Sequence, residues 1–256
     1  MNTAFPLIAQ LYYTDYNSYA GAPADMSGLP WGWILIGLSM LASVVVSSVM
    51  KSRMQSYSEL PIPLSGRDIA ERMLQENGIY DVRVLSTPGR LTDHYNPADK
   101  TINLSEMVYD SRTVSAAAVA AHECGHAVQH AQAYHWLSLR SALVPVVNVS
   151  SHLAQIVLVF GILLLLAGSS PTVAWIGLGL FAMTTLFAFV TLPVEFDASR
   201  RALAWIQRTG LSATVDYAKA RNALFWAAMT YVVGALSSLA MLLYYAMRIM
   251  AATRRD

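Results

Sequence analysis

Five consecutive residues, His122-Glu123-Cys124-Gly125-His126, carry the strongest chemical signal in the chain. On a helix, residues four apart share a face about one turn apart, so His122 and His126 can both direct an imidazole nitrogen at one tetrahedral zinc ion. Glu123 lies beside His122, placed to take a proton from a zinc-bound water as that water attacks a carbonyl. With six histidines and six glutamates in 256 residues, random order yields the H-E-x-x-H pattern only about 0.003 times. Surface histidines that merely titrate are a poor account of it.

Two histidines leave a catalytic zinc site one protein ligand short. His130 continues the series, but a further turn carries it about 6 Å along the axis and rotates it by about 40°. The longer pattern in which a glycine breaks the helix before a third histidine is also missing. Glu195 is the better candidate: it follows Pro193, which is expected to end a membrane span, and opens Glu195-Phe196-Asp197-Ala198-Ser199, where acids suit a helix start. Cys124 lies about 100° round the helix from Glu123 and reads as packing. His94 and Tyr95 either stabilise an oxyanion, hold a substrate strand or pair on a hairpin surface, while His135 and His152 suit a span entrance.

The elements that must position these residues are legible in hydropathy. Leu29 to Met50 is uncharged, carries Pro30, Trp31 and Trp33 at its start, and is followed by Lys51 and Arg53, as a first membrane span would be. Residues 51–142 read as an aqueous α+β domain of zincin-like type. Within it Ser65 and Asp68 resemble a capping box, Ile69, Met73 and Leu74 make an amphipathic helix with Gly78 past its end, and Val82 and Val84 belong to a strand. Leu91 to Tyr95 should face Lys100 to Leu104 across the turn residues 96–99. Ser111 or Thr113 should cap the motif helix, ending near Gln132. Spans two and three, 143–167 and 173–193, are joined so briefly that they must form a hairpin. Residues 194–222 return to water, 223–247 form a fourth span, and 248–256 a basic tail.

The predicted fold class is therefore a predominantly α-helical integral membrane protein of four spans with a small α+β domain, preceded by an N-terminal segment, 1–28. Composition agrees: 55% of residues are hydrophobic and 13% charged, against about 25% charged in a soluble domain. A net charge of +1 leaves no basic excess for a nucleic-acid partner, and one cysteine forms no disulfide framework. The two aqueous segments hold fourteen Lys and Arg, the first 28 residues none and the tail three, which puts the catalytic domain in the cytoplasm by the positive-inside rule. Two crossings separate the motif helix from Glu195, so both lie on one side.

The stretches Asp93-His94-Tyr95-Asn96-Pro97, Lys100 to Glu106, His122 to Ala127, Leu143-Val144-Pro145-Val146 and Leu192 to Ser199 resemble the YugP-type neutral zinc metallopeptidases of bacterial membranes. They resemble, more distantly, the HtpX and Ste24 membrane peptidases. The resemblance implies a multi-pass protein of the bacterial plasma membrane, a Zn2+ cofactor held by His122, His126 and Glu195, Glu123 as base, and hydrolysis of peptide or membrane-protein substrates. The distant relatives carry an aspartate four residues after the ligand glutamate, where this chain has Ser199; Asp197 is a weaker candidate for orienting a histidine. The rival is a zinc-binding membrane adaptor without proteolytic activity, which would need a fourth protein ligand. A transporter would place ionisable groups inside its spans, and apart from His152 near one end they have none.

Overall fold

The computed structural model describes residues 31–209 and 215–253. The expected N-terminal segment, 1–28, and the last three residues of the basic tail lie outside them. Chain order is α1 (Trp31–Ser58), α2 (Gly66–Glu76), β1 (Arg83–Thr87), β2 (His94–Asn96), β3 (Thr101–Ser105), α3 (Glu106–Tyr109), α4 (Val114–Ala131), α5 (His135–Leu166), α6 (Thr172–Arg208) and α7 (Tyr217–Thr253). Among the described residues four helices, from Gly32–Ser58 and in α5, α6 and α7, are long and apolar enough to cross a membrane. The protein is thus mostly helical with one small sheet.

Two compact units share the chain. One comprises the described parts of 1–43, 140–190 and 232–256; the other comprises 44–139 and 191–231. In the first, α5 and α6 form the expected hairpin. Gly168 turns it at φ +77°, a conformation glycine adopts without the Cβ penalty. Its helices approach so closely that a Cβ on Gly161 would lie 2.3 Å from the Ala174 nitrogen and one on Gly177 2.4 Å from that of Leu158. Small residues at such crossings provide the backbone contact that replaces hydrophobic drive in lipid.

The second unit is the α+β part. Ser65 caps α2 by accepting from the Asp68 amide at 3.1 Å, and Asp68 accepts from the Ser65 amide at 2.9 Å, which completes the capping box. The sheet order is β1-β3-β2, with β1 parallel and β2 antiparallel to the central strand. β2 is shorter than the alternation from Leu91 suggests. It begins at His94 because Leu91 sits at φ +57°, outside the extended region. Asn96 is its last residue, pairing with Thr101, and its carboxamide organises the turn, accepting from the Ala98 amide and donating to Asp99. Thr113, the second of the two candidate caps, starts α4 by accepting from the Ala116 amide. The core joins Ile69 and Met73 of α2, Ile102 and Leu104 of β3, the alanines of α4, and Trp205 and Ile206 of α6.

One expectation is overturned. Glu195 does not open a helix: with Pro193 it lies inside α6, which runs unbroken from Thr172 to Arg208. Proline removes a single backbone hydrogen bond, and a long apolar helix tolerates that loss where neighbours re-satisfy the freed carbonyl.

Candidate metal centre

The motif falls in the middle of α4, and one helical turn does what its spacing demands. The imidazoles of His122 and His126 stand edge to face, with ring centroids 4.8 Å apart. Glu195 enters from α6. Its Oε2 lies 3.3 Å from His122 Nε2 and its Oε1 3.9 Å from His126 Nε2. One donor atom from each of the three residues falls within 4.8 Å of the others. Tetrahedral zinc with ligands at 2.0–2.2 Å separates its donors by about 3.4 Å, so the two carboxylate–imidazole distances lie within about half an ångström of that spacing. The donor set suits it too: two imidazoles and one carboxylate, mostly removed from water.

Glycine lets α6 come this close. A Cβ on Gly125 would stand 2.5 Å from the carbonyl oxygen of Ala198 and 3.0 Å from its Cα. The residue between Cys124 and His126 is therefore part of how Glu195 reaches the histidines. Cys124 packs, as its angle on the helix predicts: it is fully buried, with its thiol against the Ala70 carbonyl, and burial pushes that thiol well above its ordinary pKa.

Glu123 is buried beside the cluster, and its Oε2 accepts the Tyr95 main-chain N–H at 3.0 Å. Burial pushes its carboxyl up to about 7; the charges of Asp93 and Glu195 add to the rise, while His122 and the Tyr95 amide oppose it. A carboxyl near neutrality is matched to taking up and releasing a proton at physiological pH. Asp93 is itself held by the Ser105 amide and hydroxyl.

His130 stands apart from the metal cluster, its Nδ1 2.7 Å from the Tyr95 hydroxyl. Tyr95 thus meets the site through its backbone, with its ring committed to His130. The His94 ring contacts the Thr92 carbonyl at 2.7 Å and the Asn103 carboxamide at 3.3 Å. Behind the ligands, the Ser199 hydroxyl is 3.1 Å from His122 Nδ1. Asp197 touches neither histidine. It binds Arg200, Arg201 and the amide of Gln129, whose oxygen is 3.0 Å from His126 Nδ1. Gln129 stands outside the residues whose types alone point to zinc chemistry. Its signal was the i+3 spacing from His126, which puts both on one face of α4.

A family described as "putative neutral zinc metallopeptidase" matches residues 32–250. A protein of Bacillus subtilis (strain 168) described as "putative membrane protease YugP" is 40% identical over 214 residues, which cover 83% of this chain and 92% of that protein. No solved structure matches the chain. A match over most of the sequence, with a buried two-histidine, one-glutamate cluster suited to zinc, places the chain in the neutral zinc metallopeptidase family, whose cofactor is Zn2+.

Proposed function

We propose that this protein is a membrane-embedded zinc endopeptidase in which His122, His126 and Glu195 hold the ion and Glu123 is the general base. The observation that carries the reading is the convergence of three ligand atoms within 4.8 Å beside the buried Glu123 carboxyl, which is anchored by the Tyr95 amide. Zinc held there would supply Lewis acidity, for polarising a scissile carbonyl and acidifying a water molecule. Glu123 takes the proton of the attacking water and passes it to the leaving amine. The Tyr95 amide anchors Oε2 of that carboxyl, so proton transfer is assigned to Oε1.

The substrate is a peptide or a membrane protein, and the catalytic domain faces the cytoplasm. Glu123→Gln tests the central role. The amide cannot take a proton, yet the residue is not a ligand, so zinc should remain near one per chain while peptide cleavage is lost. Equal loss of zinc and activity would make Glu123 a ligand, and retained cleavage would remove it as base.

A further inference from the structure

The two candidate ligand imidazoles are backed by partners of unlike chemistry. Beside His122 stands the Ser199 hydroxyl, 3.1 Å from Nδ1. A hydroxyl both donates and accepts, so it satisfies either tautomer of that ring. Gln129 gives His126 no such latitude. Its side chain is fully buried, and its amide nitrogen donates to the Val194 carbonyl at 2.8 Å and to Asp197 Oδ2 at 2.9 Å. A main-chain carbonyl accepts only. Asp197 also accepts, since its carboxylate already takes hydrogen bonds from the guanidiniums of Arg200 and Arg201.

Both hydrogens of the Gln129 amide are therefore spent on α6. Turning the carboxamide over would oppose its oxygen to two acceptors in a site closed to water. The oxygen must then face His126, and an amide oxygen only accepts. The hydrogen of a neutral ring is drawn to Nδ1, 3.0 Å away, and the ring's lone pair falls on Nε2, the atom turned toward Glu195.

We propose that Gln129 is a positioning residue for metal binding: a chain of hydrogen bonds from Val194 and Asp197 through its carboxamide holds His126 as the Nδ1–H tautomer with Nε2 presented to the ion. Ser199 imposes no tautomer on His122. The proposal rests on the reading of His122, His126 and Glu195 as zinc ligands. Groups that orient a ligating histidine typically contribute 10- to 100-fold in metal affinity, and the asymmetry assigns the larger share to Gln129.

Full-length protein in detergent, labelled with 15N at histidine, tests this. Zinc affinity is measured by chelator competition, and the His126 ring signal is the one lost in His126→Gln. Zinc-loaded wild type should carry the His126 hydrogen on Nδ1, protected from exchange with water. Gln129→Met, similar in length but unable to accept, should bind zinc about tenfold or more weakly, and at saturating zinc its His126 Nδ1–H should exchange rapidly. Ser199→Ala should lose less. Unchanged affinity or an equally protected proton in Gln129→Met, or an equal loss in Ser199→Ala, overturns the proposal. If Gln129→Met does not fold, the wild-type ring decides alone, because a hydrogen on Nε2 with Nδ1 on the ion is incompatible with it. Wild type that binds no zinc, or a Glu195→Ala variant with full affinity, would instead overturn the ligand assignment beneath.

Discussion

At the scale of single residues, the choice between His130 and Glu195 is one of reach. His130 is held 2.7 Å from the Tyr95 hydroxyl, while both Glu195 oxygens face the histidine pair. Glu195→Ala should leave two imidazoles, which hold zinc weakly, and so lower affinity by more than the roughly 10- to 100-fold that loss of a merely orienting group costs, and abolish cleavage. His130→Ala should keep one zinc per chain and lose only the contact with Tyr95. Zinc content and peptidase rate on both variants check the assignment, and the reverse pattern would transfer the ligand role to His130.

Among elements, the crossing of α4 and α6 matters most, because it brings a ligand from a distant part of the sequence to the motif. Gly125→Ala sets a Cβ 2.5 Å from the Ala198 carbonyl oxygen, and backbone must shift to admit it, at a cost of about 1–3 kcal/mol. The shift separates Glu195 from the histidines, so zinc affinity should fall more than stability does. Gly179→Ala is the control: its Cβ meets nothing within 4 Å, and chelator competition should find its zinc affinity unchanged. At the start of α2 the capping box makes a separate prediction. Ser65→Ala should cost about 1 kcal/mol, read as a lower melting temperature. The Ser65 amide and hydroxyl lower the pKa of Asp68, so the Asp68 contribution is full above about pH 4 and is lost as pH falls below it. Asp68→Asn should flatten that acid limb.

For the whole molecule the governing quantity is sidedness. Residues 51–140 and 194–222 hold fourteen of the 17 basic residues, and the bias of Lys and Arg toward cytoplasmic loops is the basis of the assigned orientation. Arg90 is exposed in the segment between β1 and β2. In a Cys124→Ala background, Arg90→Cys should resist membrane-impermeant thiol reagents in intact cells and react once the cells are opened. Labelling of intact cells would put the catalytic domain outside.

The sequence by itself determined the pairing of two imidazoles on one helix and the mostly helical fold class. His122, Glu123 and His126 need only the periodicity of one helix to converge, the four long apolar helices follow from composition, and the caps at Ser65 and Thr113 from local hydrogen-bond geometry. Glu195 was legible as a candidate from the expected hairpin between it and the motif, and the structure sets its carboxylate beside the two imidazoles. Tertiary structure decided what depends on contacts between segments remote in sequence. Glu195 looked like a helix start because local rules weigh the acids and the preceding proline, whereas α6 continues through both. The motif's spacing makes no demand on Gly125, whose need for a missing side chain comes from Ala198 on α6 packed against it. Gln129 shows its role only when Val194 and Asp197, 65 and 68 residues away, take both of its amide hydrogens, since the direction of a carboxamide is set by its partners and by nothing in its own sequence neighbourhood.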